Sequence, residues 1–314
     1  MSMKNTAARS GPSRAQWLRR LAQRRRDRVA FVFSGGGPLG ALQVGAVRAL
    51  FEHGVTPDMT VGSSVGALNA TFVAFNPTPG GSDNLERIWR GLTDQDLFPG
   101  GRFKASWARF LAKGNKVFEN SGMERLIDTR LGDAHFEDAQ IPLAVVTTDL
   151  ETGGEEVFTT GPVKAPLLAS TAMPGVFPPV EINGRMYTDG GVSNNVPIGP
   201  AVTLGAKTLY VMDSTSHSNQ KRPLNRPIDY LLHAFTLARS QRLGLEQRIY
   251  SDKVRVVMLP TPTLDFFVPF ASMEYTDRLM ELAYEQTLRF LSGREKAIVE
   301  ETDQPNVEII TPAP

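Results

Sequence analysis

Short apolar runs alternate along the chain with longer stretches in which apolar residues recur at helical spacing. The length and continuous apolar character of the short runs predict buried strands. These runs lie at 29–33, 59–61, 143–148, 156–160, 207–212 and 254–259. The helical spacing predicts helices at 38–53, 64–75, 84–92, 102–113, 122–131, 167–173, 228–250 and 272–292. Because strands and helices alternate, we expect an α/β fold with three α/β/α layers and a central, mostly parallel sheet.

The composition narrows the classes of protein that fit this pattern. The 314 residues include no Cys, which excludes disulfides, thiolate zinc sites and a cysteine nucleophile. No apolar run approaches the roughly 20 residues that span a bilayer, and the N-terminal residues lack the apolar core of a secretory signal. We therefore expect a cytoplasmic protein, with peripheral contact with a membrane as an option.

The net charge of +1 conceals a basic N-terminal stretch. Residues 1–28 contain nine Lys and Arg residues against one acidic residue, Asp27, so the remainder of the chain is acidic. Trp17, Leu18 and Leu21 share one helical face in this stretch. One interpretation is a surface arm that meets anionic lipid or another acidic partner. The other, which we favour, is a solvated leader.

A serine stands at the turn between the predicted strand 59–61 and the helix that follows it. The pentapeptide Gly62-Ser63-Ser64-Val65-Gly66 has glycine on both sides of Ser64, as a sharp strand-to-helix turn requires. Such a turn exposes the hydroxyl and aims the free amides of the helix at charge that develops beside it. We therefore take Ser64 as a candidate nucleophile. The alternative is a connection whose small residues only allow close packing.

A glycine-rich loop follows the first strand. The segment Ser34-Gly35-Gly36-Gly37-Pro38-Leu39-Gly40 ends a strand that is predicted to run parallel to 59–61, so loop and serine open on the same sheet edge. Amides beside a serine nucleophile form an oxyanion hole, for which Gly35, Gly36 and Gly37 are the candidates. The loop also fits a dinucleotide fingerprint, which needs an acidic residue at the end of the second strand. Asp58 lies at the wrong end, which disfavours a Rossmann-type nucleotide-binding protein.

The base that would activate the serine has two interpretations. Asp189 follows the hairpin around Asn183-Gly184 and precedes two glycines, which predicts a kinked, accessible loop or a plain Asx-turn. In a Ser–Asp dyad, burial would raise the pKa of Asp189 and make it a better base. Alternatively, one of the four histidines serves a triad. The chain order Ser64, Asp189, then His217 or His233 matches that of α/β-hydrolase esterases, whereas His53 and His135 do not fit this order.

Three motifs in order resemble those of the patatin-like phospholipases. They are Ser34-Gly35-Gly36-Gly37-x-x-Gly40, Gly62-Ser63-Ser64-x-Gly66 and Asp189-Gly190-Gly191. The segment 169–179 also resembles the one that precedes the aspartate of that family, and the similarity covers roughly 29–205. Many relatives carry Arg or Lys just before the last glycine of the loop, where this chain has Leu39.

The resemblance implies a patatin-like fold and lipid acyl hydrolase activity on a lipid or ester substrate, with no metal, no cofactor and no nucleic-acid partner. It implies Ser64 as nucleophile, Asp189 as base and the amides of Gly35–Gly37 as the oxyanion hole. Gly40, Gly62, Gly66, Gly190 and Gly191 would support the motifs. The Leu39 departure leaves a non-catalytic lipid-binding relative as an alternative.

The extent of the resemblance, the charge pattern and the predicted elements together divide the chain into four parts. We expect a basic arm at 1–28, a patatin-like catalytic core at 29–205, strands and helices at 206–299 that complete the same domain, and a tail at 300–314.

Overall fold

The computed structural model describes residues 28–97, 120–214, 227–269 and 272–300. Its strands form one eight-stranded sheet. They are β1 (Val29–Phe33), β2 (Met59–Ser63), β3 (Leu143–Asp149), β4 (Glu155–Phe158), β5 (Val180–Ile182), β6 (Arg185–Asp189), β7 (Thr208–Met212) and β8 (Arg255–Met258). The run β3-β2-β1-β7-β8 is parallel throughout, whereas β4, β5 and β6 join it in antiparallel pairs. The prediction of a mostly parallel sheet is confirmed.

Helices cover both faces of this sheet. They are α1 (Gly40–Glu52), α2 (Val65–Phe75), α3 (Pro79–Gly91), α4 (Asp94–Leu97), α5 (Ser121–Arg130), α6 (Lys164–Ser170), α7 (Ile198–Thr203), α8 (Pro227–Tyr250) and α9 (Thr276–Glu300). Alternate residues of a strand point to opposite faces. Accordingly, Phe31 and Phe33 of β1 pack with residues of α1, α2, α3 and α9, while Ala30 and Val32 pack with residues of α7 and α8. This arrangement confirms the three layers.

Several element boundaries differ from the prediction. Helix α3 begins at Pro79, five residues before the predicted start at 84. Thr78 Oγ1 accepts a hydrogen bond from the Gly81 amide at 3.1 Å, and Pro79 suits a first helical turn. Helix α7 begins at Ile198, directly after Pro197, whereas the segment Asn195-Val196-Pro197 predicts a helix that starts two to three residues earlier. The predicted helix at 102–113 lies outside the described residues.

The register along β3 brings the C-terminal ends of β2 and β6 together. Val146 of β3 pairs with both Ser63 of β2 and a residue of β4, while Thr147 pairs with both Asp189 of β6 and a residue of β4. Because β4 occupies one side of β3, β2 and β6 share the other side and meet end to end. The last residue of β6, Asp189, therefore lies beside the turn that follows β2.

Both strands from the 206–299 stretch, β7 and β8, belong to this sheet, and α9 packs against α1. Most of the predicted basic arm (1–27) and of the tail (301–314) lies outside the described residues. In the described part of the chain, no helix combines the length and the apolar character needed to cross a membrane.

Candidate active site

Ser64 lies at a strained turn between β2 and α2. Its φ of 55° and ψ of −133° fall in a region that L-residues rarely adopt. Gly62 and Gly66 make the turn possible, because a Cβ on Gly62 would overlap the Gly66 carbonyl and a Cβ on Gly66 would overlap the Ser34 carbonyl. The turn also has an external support: the Ser64 amide donates to Ser170 Oγ at 2.9 Å.

Ser170 connects this turn to the sheet. Its hydroxyl accepts from the Ser64 amide and donates to the Val146 carbonyl of β3 at 2.6 Å. Ser170 is fully buried at the end of α6. Ser170 lies in the segment 169–179, which resembles the family, but no local pattern in the sequence indicates this supporting role.

Asp189 contacts the serine hydroxyl directly. Ser64 Oγ donates to Asp189 Oδ2 at 2.7 Å, so no imidazole lies between the two groups. The other carboxylate oxygen, Oδ1, accepts from the Gly191 amide at 2.7 Å. The prediction of an accessible loop is wrong. Asp189 is the last residue of β6, pairs with Thr147 of β3 and is only 2% exposed.

Burial dominates the electrostatics of this carboxyl group. Desolvation raises the pKa of Asp189 above its usual value, against the opposing effects of Arg239, the Ser64 hydroxyl and the Gly191 amide. Arg239 of α8 donates from Nε to the Gly191 carbonyl at 2.8 Å and places Nη2 3.9 Å from Asp189 Oδ1. Nothing in the sequence pattern signals this arginine, which lies in a helix 50 residues after the aspartate.

The glycine-rich loop lies directly against the serine. A Cβ on Gly35 would be 2.8 Å from Ser64 Cβ and 2.6 Å from Asn195 Oδ1. The prediction for Gly35 needs a correction, because its amide donates to the Asn195 carbonyl at 3.1 Å and so is engaged within the protein. In the described part of the chain, the amides of Gly36 and Gly37 have no such acceptor. Gly37 has a φ of 57°, which favours glycine.

A buried polar network fixes this loop to the neighbouring helices. Gln43 of α1 donates from Nε2 to the Ser34 carbonyl at 2.7 Å. Asn69 of α2 donates from Nδ2 to Gln43 Oε1 at 2.8 Å and to the Gly40 carbonyl at 3.1 Å. The indole of Trp89 on α3 donates to Asn69 Oδ1 at 2.8 Å. One chain of hydrogen bonds thus links the loop to the helix that begins at Ser64.

The remaining motif glycines allow close approach of neighbouring groups. A Cβ on Gly40 would lie 2.8 Å from the Trp89 ring, and a Cβ on Gly190 would lie 2.7 Å from Ser63 Oγ. Gly191 leaves room for the Arg239 guanidinium. Leu39, at the position where many relatives carry Arg or Lys, is partly buried and packs against the core between the sheet and α1.

Two histidines and Asp58, which the alternative functions would call on, lie away from the serine in the described part of the chain. His53 ends α1, and His135 begins a turn closed by Asp138. His217 and the side chain of His233 lie outside the described residues. Asp58 accepts from the Val29 amide at 3.0 Å, at the N-terminal ends of β1 and β2, which is the sheet edge opposite the serine. Within the described chain, no group of three or more His, Asp or Glu residues could hold a metal ion.

A serine at a strained turn, hydrogen-bonded to a buried carboxylate at the C-terminal edge of a mostly parallel sheet, defines a candidate hydrolase site. The chain belongs to the patatin-like phospholipase family, whose sequence model matches residues 31–202. This match confirms the resemblance to that family.

Individual relatives match about three fifths of the chain. "Patatin-like phospholipase domain-containing protein ZK370.4" of Caenorhabditis elegans is 32% identical over 195 residues, which is 59% of this chain and 13% of that protein. "Lysophospholipase NTE1" of Eremothecium gossypii is 29% identical over 210 residues, which is 64% of this chain and 12% of that protein. The match therefore spans about an eighth of the length of these relatives. Among solved structures, VipD from Legionella pneumophila aligns with a TM-score of 0.48 and 14% identity, over 85% of this chain and 67% of that one.

Proposed function

We propose that the protein is a serine lipid acyl hydrolase, a carboxylic ester hydrolase of the phospholipase A or esterase type. Ser64 acts as nucleophile and Asp189 as its base. The observation that carries the proposal is the 2.7 Å hydrogen bond from Ser64 Oγ to the buried Asp189 carboxylate. Membership of the patatin-like phospholipase family supplies the substrate class, a lipid or ester with an acyl group.

In the acylation step, Ser64 Oγ attacks the ester carbonyl carbon and its proton passes to Asp189 Oδ2. The carbonyl oxygen becomes an oxyanion, which the amides of Gly36 and Gly37 stabilise by hydrogen bonds. When the intermediate collapses, the ester C–O bond breaks and Asp189 gives its proton to the departing alcohol. An acyl-enzyme on Ser64 remains.

In the deacylation step, Asp189 accepts a proton from a water molecule that attacks the acyl carbon. Collapse of the second oxyanion releases the fatty acid and returns the proton to Ser64. A carboxyl group whose pKa is raised by burial suits both steps, because a base works best when its pKa approaches the working pH.

The direct contact distinguishes the dyad from the triad. In a Ser-His-Asp triad the imidazole lies between hydroxyl and carboxylate. Here Ser64 and Asp189 are already within hydrogen-bond distance, which leaves no space for a ring between them. The complete site also favours a catalytic protein over a lipid-binding relative, in spite of Leu39.

The lipid substrate suggests contact with a membrane surface. We extend the proposal to a peripheral location, in which the basic residues of 1–28 meet anionic lipid. Co-sedimentation with anionic vesicles tests this part: a chain that lacks residues 1–28 should bind less, and unchanged binding would remove the role of the arm.

Labelling with a fluorophosphonate tests the proposed nucleophile. We expect one modified peptide, with the adduct on Ser64, and no labelling of Ser64→Ala. The matched control is Ser63→Ala, because Ser63 is a fully buried neighbour in the same peptide and its loss should leave the label in place. Labelling that survives in Ser64→Ala, or disappears only in Ser63→Ala, would contradict the proposal.

A further inference from the structure

Arg239 reaches the candidate dyad from outside the segment that the family model matches. It belongs to α8, whereas the match ends at residue 202. Its side chain is 17% exposed, and its Nε donates to the Gly191 carbonyl at 2.8 Å. From there Nη2 lies 3.9 Å from Asp189 Oδ1. An arginine of the C-terminal part of the chain is thus the cation beside the candidate base.

The two oxygens of the Asp189 carboxylate have different partners. Oδ2 accepts from the Ser64 hydroxyl, while Oδ1 accepts from the Gly191 amide and faces Arg239. Gly191 connects both contacts, because its amide holds the carboxylate and its carbonyl holds the guanidinium. A Cβ on Gly191 would overlap Arg239 Nη2, so only glycine allows this approach.

The charges around this pair explain why a cation is needed. Burial disfavours the ionised form of Asp189 and raises its pKa, and Arg239 opposes that effect. The charge of Asp213, which follows β7, also acts on Arg239. Further along α8, Arg242 pairs instead with Glu246 at 3.1 Å. Among the described residues, Arg239 is thus the charged group that acts on Asp189, and Asp213 acts in turn on Arg239.

We propose that Arg239 is the positioning residue of the dyad. Its charge favours the ionised form of Asp189, and its hydrogen bond to the Gly191 carbonyl fixes the residue whose amide holds Oδ1, so that Oδ2 stays directed at Ser64. This role rests on the proposed function of the same site. It also means that the working site needs α8, because a chain cut after residue 202 would keep Ser64 and Asp189 but lose the cation beside Asp189.

The test compares Arg239→Met and Arg239→Lys with wild type, with Arg248→Met as matched control. Arg248 is exposed on the same helix, and its Nε donates to the Gly244 carbonyl of its own helix. The first readout is the pH profile of kcat/KM on a water-soluble ester. Without the cation, the acidic limb should move to higher pH by about one unit or more, as expected when a positive charge within about 4–6 Å of a carboxylate is removed.

The conservative variant separates charge from geometry. Arg239→Lys keeps the charge but loses the planar Nε–H contact with the Gly191 carbonyl, so its limb should lie between those of wild type and Arg239→Met. Asp213→Asn should shift the acidic limb in the opposite direction, to lower pH, because it removes a negative charge that acts on Arg239. This variant tests the inference even where Arg239→Met fails to fold.

A second readout does not depend on activity. The carboxyl carbon of Asp189, assigned by its loss in Asp189→Asn, is titrated by NMR in the labelled full chain. Its midpoint should rise in Arg239→Met, fall in Asp213→Asn and stay in place in Arg248→Met. Unchanged midpoints, or a uniform loss of kcat/KM with an unmoved acidic limb, would overturn the inference. If Ser64 proves inessential, the proposed function fails, and the titration still decides the role of Arg239.

Discussion

Replacement of Ser64 by glycine and by alanine separates the backbone strain at the turn from the loss of the hydroxyl. Both variants remove Oγ and its hydrogen bond to Asp189, so both should be inactive. They differ only in the Cβ atom, which alanine keeps. At a φ of 55° and a ψ of −133°, that atom is the source of the strain.

The magnitude follows from the dihedral angles. A non-glycine residue in such a region costs about 1–3 kcal/mol. Glycine also lowers the free energy of unfolding by about 0.5–1 kcal/mol, because it gives the unfolded chain more conformational freedom. We therefore expect Ser64→Gly to exceed Ser64→Ala in free energy of unfolding by about 1 kcal/mol or somewhat more.

Ser240 provides the matched control for this comparison. It is exposed in the interior of α8, where its hydroxyl donates to the Leu237 carbonyl at 2.8 Å. Glycine in a helix interior is about 1 kcal/mol worse than alanine. The order should therefore reverse, with Ser240→Ala more stable than Ser240→Gly.

Urea unfolding of the four variants is the assay, with the midpoints compared at a common denaturant slope. The expected result is a sign change between the two sites. If Ser64→Gly is no more stable than Ser64→Ala, while the pair at Ser240 behaves normally, then the turn is not strained and the physical account of how the serine is presented fails.

Two further predictions concern the groups around the serine. Burial raises the pKa of Asp189, so the folded state binds the carboxyl proton more tightly than the unfolded state does. The stability that this protonation provides is lost as the pH rises from about 4, the ordinary pKa of Asp, through the pKa of Asp189 in the folded state. The free energy of unfolding of Asp189→Asn should therefore increase relative to that of wild type as the pH rises. A difference between the two that does not change with pH in urea titrations would contradict this. Asn69→Ala should lose about 3 kcal/mol or more by the same method, because the buried Trp89 indole and the Gln43 carbonyl oxygen then lack partners; a loss within error would show that the network carries no stability.

The fold could be predicted from the sequence where local signals were strong. Apolar runs placed β1, β2, β3, β7 and β8, and the pair Asn183-Gly184 placed the hairpin, whose φ values of 53° and 79° fit the turn. The start of α3 was missed, since two glycines after Pro79 hide a helix that the Thr78 cap makes possible. A cap of this kind depends on one side-chain contact that the hydrophobic pattern does not register.

For the candidate site too, the residues in local motifs could be predicted, whereas the contacts between distant parts of the chain could not. Motif order pointed to Ser64 and Asp189, which the structure brings together, but whether they catalyse stays a prediction. The burial of Asp189, the engagement of the Gly35 amide by Asn195, and the approach of Arg239 depend on pairings between residues far apart in the chain. Such pairings follow from the register along β3 and the packing of α8, not from a local pattern.

The central claim is that Ser64 is the nucleophile and that Asp189, not a histidine, is its base. Steady-state hydrolysis of a lysophospholipid and of a short-chain ester tests this claim most directly. The variants are Ser64→Ala, Asp189→Asn and the double variant His217→Ala/His233→Ala, each checked for folding. We predict that Ser64→Ala is inactive, that Asp189→Asn loses about 10²–10⁴-fold in kcat, the usual contribution of a general base, and that the histidine variant matches wild type. A folded histidine variant that is inactive, beside an active Asp189→Asn, would contradict the dyad.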